Sequence, residues 1–203
     1  APRRDARVSE YFLLPVAFLT STFAAVMGAG GGVPLIAVMP GMVPVAAVIP
    51  LHAAAQLASN GSRVAMGWRH VDWQILPPFF IGGLAGVLLG ALVFSHLNLQ
   101  WLPAIIGLFI LWLTWSPLTL PGGTGRRGLA LLGLYQTGLG MLVGATGPLG
   151  AAVLRRRGLG RDALVVNTAA YMTANHALRV GAFTALGFPF IEHARSEEHT
   201  SEL

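Results

Sequence analysis

The strongest constraint on this chain is a unit that occurs twice. The first copy runs from Gly28 to Arg63 and reads GAGGGVPLIAVMPGMVPVAAVIPLHAAAQLASNGSR. A glycine run breaks an apolar helix, and a second apolar helix follows that carries His52, Gln56, Ser59, Asn60 and Arg63. These five lie at i, i+4, i+7, i+8 and i+11, which puts them on one helical face. A polar stripe on so apolar a helix is costly unless it faces water or a ligand. An offset of 116 positions places Gly28-Ala29 on Gly144-Ala145, Gly31 on Gly147, Ala53-Ala54 on Ala169-Ala170, and Arg63-Val64 on Arg179-Val180. At the stripe, His52, Ser59 and Asn60 meet Thr168, Asn175 and His176, while Gln56 meets the non-polar Met172. Two copies of a glycine break followed by a polar-striped helix are a signature of membrane carriers built from repeats, with the site between them.

Composition supports the membrane reading. Of 203 residues, 54% are hydrophobic and 10% charged, with a mean hydropathy of +0.66. An ordinary soluble domain has about a quarter of its residues charged. Several apolar runs approach the roughly 20 residues that a bilayer span needs. All 13 basic residues are Arg. The net charge of +5 does not point to nucleic acid, because the arginines sit in short segments between apolar runs, as membrane topology requires. The absence of cysteine excludes disulfides, thiol catalysis and Cys-ligated metal.

Taken in order, the chain opens on a short basic segment with Arg3, Arg4 and Arg7, and Tyr11 to Met27 is the first expected span, with a signal peptide as the alternative. After the glycine break, Val33 to Met39 is too short to cross and reads as a half-helix. Val45 to Met66 is the striped span, with a kink expected at Pro50. Asp72 is an N-cap candidate for the span Trp73 to Ser95, along which Gly82, Gly86 and Gly90 predict close helix packing. Trp101 to Leu118 and Gly128 to Val143 follow, then the second break at Gly144 to Gly150 and a stub at Ala151 to Leu154. Ala163 to Leu186 is the second striped span, and Phe188 to Ala194 would open another. With the N-terminus inside, Arg3, Arg4, Arg7, Arg69, Arg126 and Arg127 are cytoplasmic and the uncharged loop at His96 is outside. Arg155 to Arg157 and Arg161 then fall on the outer side, against the positive-inside rule, unless they belong to a re-entrant segment or serve an anionic ligand.

The chemistry follows from these residues. Gly28, Gly30, Gly31 and Gly32 leave backbone N–H groups free to line a cavity, as do Gly144 and Gly147 beside Thr146, and broken helices hold anions in that way. The alternative is that the glycines only allow helices to approach. Arg63 and Arg179 match oxyanions, with snorkelling to the interface as the alternative. His52 and His176 are the titratable groups deep in the spans. Gln56, Ser59, Asn60, Thr168 and Asn175 are suited to hydrogen-bonding a polar substrate or to joining helices. No carboxylate lies within a span, and HExxH, paired acids, a nucleophile elbow and a P-loop are all missing, so neither an enzyme nor an ATPase is supported.

These residues resemble the sulfite exporter TauE/SafE family of bacterial membrane transporters. The resemblance rests on GAGGGVPL at Gly28 to Leu35, PLHAAAQLASNGSR at Pro50 to Arg63, RHVDW at Arg69 to Trp73 and GATGPLGA at Gly144 to Ala151. It implies two homologous halves of about four spans each and the movement of small sulfur-containing anions such as sulfite or sulfonates, usually outward. Its motif positions fall on Gly28, Gly30, Gly31, Gly32, His52, Asn60, Arg63, Gly144, Gly147, His176 and Arg179; the second glycine motif, GATGP, departs from a full glycine run.

The fold expected is therefore all-α: a polytopic helical membrane protein with two homologous repeats and glycine-broken helices, about six spans present of about eight. Residues 1–120 form the first repeat, 121–127 a linker, 128–194 a truncated second repeat, and 195–203 a non-native tail. That tail, RSEEHTSEL, resembles a translated sequencing adapter; without it, 12 arginines stand against five carboxylates, a net of +7. The expected function is export of a small anion across the bacterial inner membrane, without cofactor or metal. The expected partners are the substrate and the lipid bilayer, with a second copy of the chain a further candidate and nucleic acid excluded. The rivals are a membrane-embedded enzyme with His52 and His176 as metal ligands, which needs a third ligand, and a non-transporting scaffold in which the stripes only join helices.

Overall fold

The computed structural model describes Pro15, Val16, Phe18, Leu19 and residues 32–116 and 123–190. Most of the expected first span, Gly28, Gly30, Gly31, the start of the linker and the C-terminal tail lie outside these residues. The described chain is helical: α1 (Gly32–Val38), α2 (Val45–Gly67), α3 (Leu76–Ser95), α4 (Leu102–Trp115), α5 (Arg126–Val143), α6 (Gly147–Arg155) and α7 (Arg161–Ala185), with short 3-10 turns at Met39–Gly41, Trp68–His70 and Leu99–Trp101.

Local chemistry sets most boundaries within a few residues of expectation. Proline stands in the first turn of α3, α4 and α6, where its missing N–H costs nothing. Helix α2 runs unbroken through Pro50. Asp72 does not cap α3: its Oδ1 accepts from Gln74 N at 3.1 Å, in the turn before the helix. By length and composition, Leu76–Ser95 is the one described helix apolar enough to cross a bilayer unaided, with a mean hydropathy of 2.0. The longer α2 and α7 carry the polar stripes, which lower their hydropathy without shortening them.

Two helix pairs form the frame. Helices α2 and α7 pack antiparallel: the rings of His52 and His176 lie 5.8 Å apart, and further along Gly67 abuts Val166. Helices α3 and α5 pack in parallel at backbone distance. A Cβ on Gly82 would overlap the Ala130 carbonyl, one on Gly86 the Leu134 carbonyl, and one on Gly133 the Phe79 carbonyl. The glycine ladder of α3 is therefore a packing seam.

The interior is layered. One apolar cluster gathers Ile36, Met39, Val48, Leu102, Met141 and Phe183; a second gathers Ile75, Phe79, Leu132, Leu154 and Tyr171. The polar residues His52, Gln56, Gln136, Thr137, Asn175, His176 and Arg179 lie buried on helices that run between the two. On the outside of α3, Ile81, Leu84, Leu88 and Leu92 are exposed, Leu88 by 71%. Such a surface suits lipid and would be an aggregation hazard in water. Trp68 and Trp73 are exposed at one end of the bundle and Trp101 at the other, as in the aromatic belts of membrane proteins.

The arginines correct one expectation. Arg157 Nη2 pairs with Asp72 at 3.1 Å, and Asn167 Nδ2 donates to the His70 carbonyl at 2.9 Å. Arg157 and Arg126 line one cleft with Trp73 and Gln74. Arg155 to Arg157 therefore share an end with Arg69, Arg126 and Arg127 rather than facing the opposite side. The re-entrant reading explains this: α5 descends to Gly144, and α6 returns towards the end from which α5 came. At the far end, Val16 packs against the apolar cluster that holds Met39 and Phe183. The expected placement of Arg3, Arg4 and Arg7 lies outside the described residues.

Candidate functional site

The site is built where the two striped helices meet the second glycine break. Arg179 is 0% exposed, and its Nη1 donates to the Gly144 carbonyl at 2.8 Å and to His176 Nδ1 at 3.2 Å. His52, across the helix pair, donates from Nε2 to the Gly32 carbonyl at 3.0 Å. Gly32 stands so close to α2 that a Cβ there would lie 3.2 Å from His52 Nε2 and 3.4 Å from Gln56. Gly144 has φ +77, a conformation that favours glycine, and a Cβ there would press on Ile36 and approach His52 Nδ1 to 3.4 Å. His52, His176, Arg179, Gly32 and Gly144 thus converge. Expected on separate copies of the repeat, they form one constellation.

At Gly32 and at the second break, backbone carbonyls accept from buried side chains. The Gly144 N–H is taken by the Gly140 carbonyl, which caps α5. The carbonyls of Gly32 and Gly144 accept from His52 and Arg179, that of Thr146 accepts from Gln136 Nε2 at 2.9 Å, and that of Gly147 from Tyr171 at 3.2 Å. A chain that leaves a helix frees carbonyls at its C-terminal end, and Gly144, the C-cap of α5, gives its carbonyl to the stripe residue Arg179. Backbone amides facing the stripe were expected; Gly28, Gly30 and Gly31 lie outside the described residues, and at the second break the N–H groups of Gly144 and Ala145 are taken by the carbonyls of Gly140 and Val143.

Those side chains keep unused capacity. Arg179 Nε and Nη2, His176 Nε2, His52 Nδ1, Gln56 Nε2 and both amide atoms of Asn175 are buried and have no hydrogen-bond partner among the described residues. Buried polar groups are normally satisfied. A buried guanidinium without a carboxylate costs several kcal/mol. The acidic residues among those described, Asp72 and Asp162, both sit at the arginine-rich end. An anion would meet the needs of this layer. A metal cation would not, because the Arg179 guanidinium already occupies His176 Nδ1, and no group of three His, Cys, Asp or Glu suited to a metal occurs among the described residues.

The other expected site residues lie elsewhere. Arg63 is partly buried, and its Nη1 and Nη2 donate to Asn60 Oδ1 at 3.1 Å and Ser59 Oγ at 3.0 Å on its own helix. It stands three turns from His52, about 16 Å along the axis. Ser59 and Asn60 accompany Arg63, and Asn60 also donates to the Gln56 carbonyl at 2.8 Å. Thr146 and Gly147 open α6, and Thr146 Oγ1 is turned to the Gln136 carbonyl at 3.1 Å. The sequence reading missed Gln136, Thr137 and Asn167, all buried. A Gln-Thr pair inside an apolar helix is the same signal that singled out the stripes, and it applied equally to α5. The cleft of about 650 Å³ at the arginine-rich end is lined by Trp73, Arg126 and Arg157 among others, and no stripe residue reaches it.

Comparison with known proteins gives the family. The model of the family "Sulfite exporter TauE/SafE" matches residues 13–194. A relative from Comamonas testosteroni, named a probable inner membrane transporter protein, TsaS, is 29% identical over 118 residues, which cover 54% of this chain and 46% of the relative. The match thus spans about half the length of that curated relative. No solved structure matches the chain.

Proposed function

This chain belongs to the sulfite exporter TauE/SafE family, and from that premise we propose that it is an inner-membrane transporter that carries a small sulfur-containing oxyanion through a site centred on Arg179. The observation that carries this reading is a fully buried guanidinium with two N–H-bearing nitrogens lacking partners among the described residues, flanked by His52, His176 and Asn175. Guanidinium N–H pairs match the oxygen spacing of sulfite and sulfonates.

Two repeats of inverted topology fit the packing. Helices α2 and α7 are antiparallel, and the 116-residue offset carries the contact of His52 with His176 onto Thr168 with Asn60. Each half-helix, α1 and α6, packs on the striped helix that follows it. Such repeats rock against one another around a central site, which exposes it to each side in turn. The positive-inside rule assigns the end with Arg69, Arg126 and Arg155 to Arg157 to the cytoplasm. These 203 residues contain no cysteine, so single cysteines introduced among them report topology cleanly. Arg69→Cys and Arg156→Cys should label from the cytoplasm, and Asn98→Cys from the periplasm; opposite labelling of the first two would break the re-entrant arrangement.

Sulfite efflux from cells expressing the complete gene tests the substrate. Efflux above that of cells without the gene, abolished by Arg179→Gln at unchanged membrane abundance, is expected. Efflux that survives the substitution would remove Arg179 from the site.

A further inference from the structure

The hydrogen bonds of the buried layer narrow the substrate, an inference that rests on the anion-carrier reading above. A guanidinium only donates, so the 3.2 Å contact of Arg179 Nη1 makes His176 Nδ1 an acceptor and leaves that ring's proton on Nε2. A carbonyl only accepts, so the 3.0 Å contact with Gly32 places a proton on His52 Nε2. A further proton on His52 Nδ1 would put a second cation beside the guanidinium in a layer without a carboxylate among the described residues. His52 Nδ1 therefore holds a lone pair, and it lies close to Gly144, whose carbonyl receives Arg179. The layer thus carries one positive charge, a set of N–H groups on Arg179, His176, Asn175 and Gln56, and acceptors at His52 Nδ1 and Asn175 Oδ1, each with capacity unspent among the described residues.

We propose that this site takes a singly charged oxyanion bearing a hydrogen-bond donor of its own: Arg179 balances the charge, and His52 Nδ1 receives the donor. A doubly charged anion would leave one negative charge buried without a partner, which costs as much as the bare guanidinium does. An anion without an O–H or N–H would leave the His52 lone pair unsatisfied. A hydroxyl-bearing sulfonate and the O–H form of hydrogensulfite, singly protonated sulfite, meet both conditions, and sulfate meets neither.

Three probes separate these requirements in calorimetric titrations of the purified complete protein at one ionic strength. Hydroxymethanesulfonate has one charge and a hydroxyl, methanesulfonate one charge and no donor, and sulfate two charges. Either sulfonate should bind at least about tenfold more tightly than sulfate, given the cost of an unpaired buried charge. Hydroxymethanesulfonate should exceed methanesulfonate by about fivefold, the effect of one hydrogen bond. His52→Phe should erase the preference for the hydroxyl and keep the preference for single charge; Arg179→Gln should remove binding of all three. Sulfate binding as tight as that of the sulfonates, lost in Arg179→Gln, would overturn the charge match, and equal binding of the two sulfonates would overturn the role of His52. Either result leaves the anion-carrier reading intact. Failure of all three probes to bind would sink both. If His52→Phe does not fold, the two ratios in the natural protein decide the matter.

Discussion

An offset of 116 residues sets Arg63 on Arg179, yet the two arginines live in different surroundings. Arg63 lies near the end of α2, partly exposed, with Ser59 and Asn60 of its own helix around it. Arg179 is six residues from the end of α7 and fully buried, held by Gly144 and His176. Helix-end arginines can send their charge to the interface, and the stem of Arg63 has that path. Arg179 does not, because the apolar cluster containing Phe183, Phe94 and Met39 closes that end of the bundle. Likeness of sequence position thus does not confer like chemistry. What differs is the cover that other elements lay over each arginine.

The comparison is open to direct attack, beginning with the largest effect. Arg179→Gln should lower sulfite efflux by about a hundredfold or more, the loss that follows removal of a buried charge-assisted contact. Its melting midpoint in anion-free detergent should stay level or rise, since an unpaired buried charge disappears. The natural protein should be stabilised by saturating anion, by about 2.7 kcal/mol at a hundredfold excess over Kd, and the variant should not. A large fall in the anion-free midpoint would instead make Arg179 a structural residue.

Gly144→Ala should come next. The positive φ and the press of a Cβ on Ile36 together cost about 1–3 kcal/mol. The carbonyl that holds Arg179 would move with them, and about a tenfold loss of efflux is expected because positioning is sensitive to small displacements. Normal efflux with normal stability would show that the second break does not set the guanidinium. Arg63→Gln should change efflux by less than about threefold and stability by less than about 1 kcal/mol, as for other partly exposed charges. An effect equal to that of Arg179→Gln would restore a paired site and end the asymmetry. The smallest change is expected from Asp72→Asn, which breaks the pair with Arg157. Both side chains are over a fifth exposed, so a stability loss of about 0.5 kcal/mol, measured by denaturant titration, is the expected size.

Much of the fold could be read without coordinates. The apolar runs, the glycines and the prolines placed α2, α3, α5 and α7 to within a few residues, because bilayer thickness and backbone geometry act locally along the chain. The stripe was equally legible: His52, Gln56, His176 and Arg179 stand out because polar groups in an apolar helix need a reason. Gln136 obeyed the same rule and was passed over amid the glycines of α5.

Amino-acid sequence alone determined that this is a helical membrane protein with a polar stripe on each of two apolar helices, since hydropathy and helical period are properties of single segments. Tertiary structure decided three further matters. It brought His52 beside His176 by pairing α2 and α7 antiparallel, a contact between residues more than a hundred positions apart. It returned Arg155 to Arg157 to the end that holds Arg126 by folding α6 back. It also buried one of the two arginines that the offset aligns. Burial is a property of what packs against a residue, and a helix considered alone cannot state which neighbours will cover it.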